Sequence, residues 1–131
     1  MKRISMQDLM LSLSDKRNLI ISKSGVFRMD LDSGVYYEDK IMIGRLGLRE
    51  LYVFKLLLAN PGKLVSRESI LSIVWEDRIV TETVVTVAIS KIRALLKKFC
   101  GDSDFIVTVS GCGYIFHFEQ TGMMIVEDAT S

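Results

Sequence analysis

The stretch that most constrains the fold runs from residue 81 to residue 99, TETVVTVAISKIRALLKKF, and predicts one helix with two different faces. An apolar stripe recurs at helical spacing and must be buried; it consists of Val85, Ile89, Ile92, Leu96 and Phe99. Turned away from it is a second stripe of small residues ending in positive charge, formed by Val84, Val87, Ala88, Lys91, Ala94 and Lys98. The rest of the fold must cover the first stripe.

The second stripe has two interpretations. Small side chains beside lysines suit a helix that enters a DNA major groove, but the stripe could also pack on another element or face solvent. The helix alone does not decide between these interpretations, whereas its neighbours are informative. Residues 46–75 predict two shorter helices joined by a turn, and IVTVSGCGYIFHFE at 106–119 predicts a β-hairpin. Three helices followed by a hairpin describe a winged helix.

The two shorter helices have clear boundary signals. The first is predicted over residues 48–59 and ends at Asn60-Pro61-Gly62, because proline disfavours helical geometry in the preceding residue and glycine permits the turn. Ser66 is a good N-cap for the second helix, predicted from Arg67 to about Trp75, and Glu68 is favourably placed in its first turn. We expect Trp75 to anchor the core; an exposed functional tryptophan is the alternative.

The N-terminal third of the chain predicts strands. Between residues 18 and 44, LIIS, VFRMDL, VYYE and KIMIG are short, rich in β-branched and aromatic residues, and separated by turn signals, which predicts about four antiparallel strands. The helices that follow can cover one face of such a sheet. We expect an N-terminal arm over residues 1–17, part of which could be a short amphipathic helix, a winged-helix domain over 18–119, and a frayed polar tail over 120–131.

Composition excludes several classes of protein. The 131 residues suffice for one domain, and 49% hydrophobic with 25% charged residues is typical of a soluble folded chain. No apolar run approaches the roughly 20 residues that span a bilayer, and Gln7 and Asp8 stand where a signal peptide would be apolar, so a cytoplasmic location is expected. The net charge of +1 is low for a DNA-binding protein, but residues 45–99 hold ten Lys or Arg against five acids.

Metal, cofactor and catalytic sites are not expected. The two cysteines, Cys100 and Cys112, lack CxxC spacing, and His117 is the single histidine, whereas a zinc site needs about four ligands. Reduced thiols are the default interpretation, and a disulfide between these cysteines is the alternative. The chain also lacks a recognisable set of nucleophile, base and orienting group, so an enzyme is not predicted.

The connection between the second and third helices carries two acids and two apolar residues outside any periodic pattern: Glu76, Asp77, Arg78, Ile79 and Val80. It could be a solvated loop. The functional alternative is a contact for another protein.

Four runs of residues, in this order and spacing, carry a family resemblance. The first run begins with Leu46 and Glu50 and ends in Asn60-Pro61-Gly62-Lys63-Leu64-Val65-Ser66-Arg67-Glu68. The second is Val74-Trp75, and the third is Ala88-Ile89-Ser90-Lys91-Ile92-Arg93. The fourth is Thr108-Val109-Ser110-Gly111-Cys112-Gly113-Tyr114. Over roughly residues 18–119 the chain resembles the OmpR/PhoB-type winged-helix DNA-binding domain, most closely its ToxR-like branch. The resemblance implies an α+β fold with a four-stranded antiparallel N-terminal sheet, three helices and a C-terminal hairpin wing.

The resemblance also implies a function, that of a bacterial transcriptional regulator that binds specific sequences of double-stranded DNA. The third helix would enter the major groove through Thr83, Val84, Thr86, Val87, Ala88, Ser90, Lys91 and Arg93. The hairpin wing would lie near the minor groove, with backbone and wing contacts from Thr108, Ser110 and Tyr114. The loop from Glu76 to Val80 would touch RNA polymerase. A small module reads few base pairs, so binding as a homodimer or tandem pair is expected.

The wing departs from the family pattern. Ser110 stands where an arginine is usual, and Ile115 stands where a second basic residue is usual; a serine cannot supply the charge that favours a narrow minor groove. These departures and the low net charge fit an alternative function. In that alternative, the chain is a winged-helix protein-interaction module that uses Val84, Val87 and Ala88 against a partner protein.

Overall fold

The structure, a computed structural model, describes residues 17–128 and the side chains of residues 18–127. In chain order the elements are β1 (Arg17–Ile21), β2 (Phe27–Asp30), β3 (Val35–Glu38), β4 (Ile41–Arg45), α1 (Leu48–Leu58), β5 (Leu64–Ser66), α2 (Arg67–Val74), α3 (Thr83–Cys100), β6 (Ile106–Val109), β7 (Gly113–Phe116), a 3-10 helix (Phe118–Thr121) and β8 (Met124–Asp128). The expected N-terminal arm lies outside the described residues, apart from residue 17, which begins β1.

The predicted winged-helix architecture is confirmed. Strands β1 to β4 are the four predicted N-terminal strands, and each helix begins and ends within two residues of its predicted boundary. The Ser66 hydroxyl accepts a hydrogen bond from the Ser69 backbone N–H at 3.0 Å, as expected for the N-cap of α2. At the end of α1 the Asn60 side chain donates to the Leu56 carbonyl at 2.9 Å, which satisfies one of the carbonyls left without a helical partner.

The prediction of a frayed tail is wrong for residues 124–128. These residues form β8, which pairs antiparallel with β1 and makes a five-stranded sheet in the order β4-β3-β2-β1-β8. The acidic end of the chain suggested a solvated tail. The apolar run at 123–126 was the stronger signal: Val126 lies opposite Leu19, and Met124 lies opposite Ile21. The N-terminal sheet therefore has five strands, one more than predicted.

A short strand that the sequence did not predict ties the hairpin to the helices. Strand β5 pairs with β7, which gives a second sheet in the order β5-β7-β6. This pairing explains Gly113, because a Cβ at that position would lie 2.1 Å from the Val65 carbonyl oxygen. Any larger residue would push β7 away from the segment that leads into α2.

The core lies between the five-stranded sheet and the three helices. The sheet contributes Ile20, Phe27 and Met29, all at most 3% exposed. Phe27 stacks on Phe99 of α3 with ring centroids 4.2 Å apart. Trp75 is 8% exposed, which confirms its predicted place in the core. Burial of each large apolar side chain contributes about 1.5–3 kcal/mol to folding.

Among the side chains of residues 18–127, one cation is fully buried. Lys55 on α1 has no exposed surface, and burial lowers its pKa from the ordinary value of 10.5, while the Asp32 and Asp30 carboxylates act in the opposite direction. Burial disfavours the charged form of an amine, so the stability of the fold depends on pH through this residue.

None of the helices within residues 17–128 combines the length and the apolar character needed to cross a lipid bilayer.

Candidate nucleic-acid interface

The surface of α3 that faces away from the core is an exposed, mostly polar strip. It contains five of the eight predicted helix positions, all exposed: Thr83, Thr86, Val87, Ser90 and Lys91. Their spacing of three or four residues keeps them on one side of the helix. Val87 is the apolar member of the set and is 47% exposed. We refer to these five residues as the α3 strip.

Two predicted members of this surface lie elsewhere. Ala88 is 2% exposed, so its expected place on the exposed side of the helix is wrong, and Val84 is half-buried against the core. The buried arc of α3 is wider than the predicted stripe, because it also includes Leu95 at 9% exposure. Helix α3 packs on α1 and α2 as well as facing the sheet, and a residue as small as Ala88 fits within that arc.

Arg93 lies at the junction between α3 and the hairpin. Its guanidinium donates to the Ile106 carbonyl from Nε at 3.2 Å and from Nη2 at 2.6 Å. Nη2 also donates to the Thr108 hydroxyl at 2.8 Å. Arg93 and Thr108, both predicted site residues, are therefore in direct contact, and their hydrogen bonds fix β6 against α3.

Tyr114 on β7 is buried, at 3% exposure. Its hydroxyl accepts a hydrogen bond from Arg67 Nη1 at 2.7 Å, and Arg67 Nη2 donates to the Thr86 hydroxyl at 2.8 Å. The guanidinium carbons of Arg67 and Arg93 lie 5.4 Å and 5.9 Å from the centroid of the Tyr114 ring. We refer to Arg67, Arg93, Tyr114, Thr86 and Thr108 as the junction cluster. It couples α2, α3 and the hairpin.

Arg67 was not among the predicted site residues. It is the first residue of α2, where a cation is unfavourable to the helix dipole. An arginine at that position, in a sequence with a strong N-cap at Ser66, was the signal that it had a partner elsewhere. The structure supplies two such partners, Tyr114 and Thr86.

Lys91 on the α3 strip is held by α1. Its ammonium nitrogen lies 3.0 Å from a carboxylate oxygen of Glu50, and the lysine side chain remains 58% exposed. A partly exposed pair of this kind contributes only about 0–1 kcal/mol to stability. It does restrict where the lysine can point, because Glu50 is only 17% exposed and has little freedom to move.

The tip of the hairpin carries no charge. Ser110, Gly111 and Cys112 are exposed and connect β6 to β7. The Cys112 N–H donates to the Val109 carbonyl at 2.9 Å, and Gly111 takes a positive φ of 74°, which glycine adopts without strain. Cys100 and Cys112 are both free, and burial raises the pKa of the Cys100 thiol.

The loop between α2 and α3 is exposed from Glu76 to Ile79, and Val80 is half-buried against the core. Ile79 is fully exposed to solvent. Arg49 anchors the base of the loop, because its guanidinium donates to the Val74 carbonyl and lies 3.4 Å from an Asp77 carboxylate oxygen. Beside the loop an open groove of about 830 Å³ is lined by Leu71, Trp75 and Ile79 among others.

Comparison with known proteins agrees with this geometry. Residues 44–116, more than half of the chain, match the family described as "Transcriptional regulatory protein, C terminal". The probable transcriptional regulator ycf27 of Guillardia theta is 36% identical over 91 residues, which cover 67% of this chain and 35% of that protein. The phosphate regulon transcriptional regulatory protein PhoB of Rhizobium meliloti is 38% identical over 71 residues, 53% of this chain and 31% of that protein. The chain thus spans about a third of each relative.

Solved structures share the fold. The DNA-binding domain of E. coli CadC superposes with a TM-score of 0.62 at 23% identity, covering 86% of this chain and 99% of that one. The Thermotoga maritima response regulator DrrB, an OmpR/PhoB homologue, gives a TM-score of 0.51 at 30% identity, covering 70% of this chain and 42% of that one. The family match and the shared fold together establish that this chain belongs to the C-terminal domain family of transcriptional regulatory proteins, the OmpR/PhoB-type winged-helix DNA-binding domains.

Proposed function

We propose that this domain binds specific sequences of double-stranded DNA as a bacterial transcriptional regulator, with α3 in the major groove and the β6–β7 hairpin near the minor groove. The observation that carries the proposal is the α3 strip, an exposed helix surface bordered by a hairpin whose position is fixed through the junction cluster. A helix about 10–12 Å in diameter fits a major groove about 12 Å wide.

The side chains of the α3 strip suit base contacts of different kinds. Val87 offers methyl groups to a thymine methyl, and Lys91 offers hydrogen-bond donors to a guanine edge. Thr83, Thr86 and Ser90 offer hydroxyls to bases or phosphates. Ala88 is excluded as a base contact by its burial.

The remaining predicted positions are assigned to backbone contacts and to orientation of the wing. Arg93 uses Nε and Nη2 to hold β6, so we assign Nη1 to a phosphate. Thr108 and Ser110 are exposed on the hairpin and could contact sugar or phosphate. Because Tyr114 is buried, we assign it a positioning role, in which it orients the hairpin relative to α3.

The uncharged tip and low net charge have consequences for affinity. Each phosphate contact that a protein makes increases affinity and salt dependence, and this surface offers few cations. A single domain is therefore expected to bind weakly. We propose that it binds as a homodimer or in tandem on repeated half-sites, which doubles the number of base contacts. A function on DNA places the domain in the cytoplasm. We assign the domain no catalytic activity.

We further propose that the loop from Glu76 to Val80 contacts RNA polymerase. The fully exposed Ile79 offers an apolar side chain to a partner, and the bond from Arg49 to the Val74 carbonyl holds the base of the loop in place. The groove beside it, lined by Leu71 and Trp75, could accept a side chain of that partner.

The test is selection of this chain against a pool of random DNA duplexes at low and at physiological salt. We expect enrichment of a direct or inverted repeat, with an affinity that falls as salt rises. Val87→Asp should abolish the enrichment, because it places a negative charge against the groove floor. Lys97→Ala is the matched control, since Lys97 lies on the same helix outside the α3 strip.

A second candidate function is a protein-interaction module. The observation that favours it is the uncharged tip at Ser110, Gly111 and Cys112, combined with the exposed Val87. If no sequence is enriched at either salt concentration, the DNA-binding proposal fails and the α3 strip becomes the candidate surface for a partner protein.

A further inference from the structure

A cleft of about 360 Å³ lies beside the α3 strip, between α3, the start of α1 and the β4 edge of the five-stranded sheet. Three cations line it: Arg45 from the end of β4, and Lys91 and Lys98 from α3. Among the described residues that line the cleft, Glu50 is the one acid, and its carboxylate lies 3.0 Å from the Lys91 ammonium. We refer to this site as the basic cleft. Its excess of positive charge favours an anionic occupant.

Two cations of the basic cleft are available to a ligand. Arg45 is exposed, and its Nε donates to the Ser33 carbonyl at 3.1 Å, which orients the guanidinium. Its two Nη groups make no hydrogen bond within residues 17–128. Lys98 is also exposed, and its ammonium lies 5.2 Å from the centroid of the Phe99 ring without an acidic partner in the same part of the chain. The uncompensated charge of the cleft therefore belongs to Arg45 and Lys98.

The basic cleft and the hairpin wing lie on opposite flanks of the α3 strip. Thr86 contacts Arg67 of the junction cluster, whereas Lys91 contacts Glu50 at the cleft. Five residues correspond to a rotation of about 140° around a helix, so Thr86 and Lys91 mark the two sides of the strip. The tip of the wing carries no charge, whereas the opposite flank carries the two exposed cations of the cleft.

We propose that the basic cleft binds a phosphate of the same DNA duplex, on the strand of backbone that borders the major groove away from the wing. This inference rests on the proposed DNA-binding function and adds Arg45 and Lys98 to the interface. The two Nη groups of Arg45 suit a bidentate contact to phosphate oxygens, and the Lys98 ammonium supplies a second positive charge. The α3 strip would read bases while the cleft holds the backbone beside them.

The length of α3 places Lys98 at the backbone. Lys98 follows Lys91 by two turns on the same side of the helix, a separation of about 10 Å. The major groove is about 12 Å wide, so a helix that crosses it with Lys91 at a base edge reaches the border of the groove two turns later. Arg45 lies on the sheet and can approach the groove only from outside. The phosphates along the border are therefore the duplex atoms within reach of both residues.

A salt titration of binding to the selected duplex tests this assignment. Each phosphate contact contributes about 0.9 to the magnitude of the slope of log affinity against log salt concentration. Arg45→Ala and Lys98→Ala should therefore each reduce that magnitude by about 0.9. The preferred sequence should stay the same, because neither residue contacts a base. Lys97→Ala is the matched control and should keep the slope of the parent chain, since it removes the same charge from the same turn of α3 but lies outside the cleft.

Arg45→Lys separates the charge of this residue from its structural contact. The variant keeps the positive charge but loses the Nε bond to the Ser33 carbonyl. We expect its salt slope to match that of the parent chain, in contrast to that of Arg45→Ala. Circular dichroism checks that each variant is folded. Loss of affinity in both variants with unchanged slopes would mean that Arg45 acts only through Ser33, and would overturn its assignment to a phosphate.

A scan with neutral methylphosphonates locates the contact on the duplex. The substitution is made at one phosphate at a time in the selected sequence. At one position on the border of the groove away from the wing, the parent chain and Lys97→Ala should both lose affinity. Lys98→Ala should lose much less at that position, because the contact is already absent. Equal losses for Lys98→Ala and Lys97→Ala at every position would overturn the proposal.

The outcomes separate this inference from the proposed function. If the parent chain selects and binds a duplex, but Arg45→Ala and Lys98→Ala have the same salt slope as Lys97→Ala, the cleft holds no phosphate and only this inference fails. If the parent chain binds no duplex at either salt concentration, the proposed function and this inference fail together. Reduced slopes for both cleft variants, with a loss at one methylphosphonate position, would support the inference.

Discussion

The hydroxyl of Tyr114 accepts a hydrogen bond of 2.7 Å from Arg67, a residue 47 positions earlier in the chain. Arg67 begins α2, and its second nitrogen donates to Thr86 on the α3 strip. The wing and the helix proposed to enter the major groove therefore share one guanidinium. A change in the position of either element must be accommodated by the other.

Arg67→Ala should weaken DNA binding at every sequence without changing which sequence is preferred, because it frees the wing and Thr86 but removes no proposed base contact. Loss of these hydrogen bonds should lower the free energy of unfolding by about 1–3 kcal/mol. Tyr114→Phe keeps the ring contact and should cost about 1 kcal/mol or less. Urea unfolding and a titration with the selected duplex measure both effects. An altered preferred sequence would contradict this prediction and would show that Arg67 acts on base readout, either directly or through the Thr86 hydroxyl that it holds.

Lys91→Ala should relax the sequence preference by about 1–3 kcal/mol at one base pair, as expected for loss of a base contact. Repeating the selection with this variant measures the change, with Lys97→Ala as the control. Glu50→Gln complements the test, since it removes the carboxylate that lies 3.0 Å from the Lys91 ammonium. If Lys91→Ala selects the same sequence as strongly as the parent chain, Lys91 does not contact a base.

Trp75→Ala should lower the free energy of unfolding by about 3–5 kcal/mol, because it opens a cavity under α2. Trp75 is 8% exposed, so little of this loss can be recovered by solvation. Urea denaturation followed by circular dichroism measures it, and the exposed Leu48 provides a control in Leu48→Ala, which should cost far less. Unfolding midpoints that coincide for the two variants would contradict the packing described for Trp75.

Lys55→Met should change how the free energy of unfolding depends on pH, because Lys55 contributes to that dependence in the parent chain. Burial lowers the pKa of Lys55 in the folded state below 10.5, its ordinary value. At pH values between the lowered pKa of the folded state and the ordinary pKa of the unfolded state, the unfolded state binds more protons than the folded state. The free energy of unfolding of the parent chain therefore rises with pH in this range. As the pH rises toward 10.5, the free energy of unfolding of the parent chain should therefore increase relative to that of Lys55→Met.

Denaturant titrations at several pH values between about 7 and 10 measure this difference. Lys63→Met, at an exposed lysine, is the matched control because it makes the same change outside the core. Parallel curves for Lys55→Met and the parent chain would show that Lys55 has the same proton affinity in the folded and unfolded states.

The sequence predicted the helices well because each had a local signal. The proline at 61 and the N-cap at Ser66 act within a few residues, so α1 and α2 could be bounded without knowing the rest of the fold. The apolar stripe of α3 likewise predicted Val85 and Ile92, both of which are fully buried.

The features that sequence did not predict depend on distant residues. Strand β8 exists because β1 offers it an edge, and nothing within residues 124–128 specifies that partner. Ala88 is buried because α3 packs on other helices as well as facing the sheet, so its small size served packing and not access to a groove. Arg67 and Tyr114 meet only through tertiary structure, which no periodicity encodes.

The pairing of β1 with β8 also determines how this domain can be attached to anything else. Arg17 and Asp128 lie directly opposite each other in the register, so their Cα atoms are about 5 Å apart. Two tethers, one joined at each end, would leave from the same corner of the five-stranded sheet. Such a domain could swivel about that corner as a unit. Arg17 and Asp128 could also be joined by a few residues, and new ends opened in a surface loop, without disturbing α3.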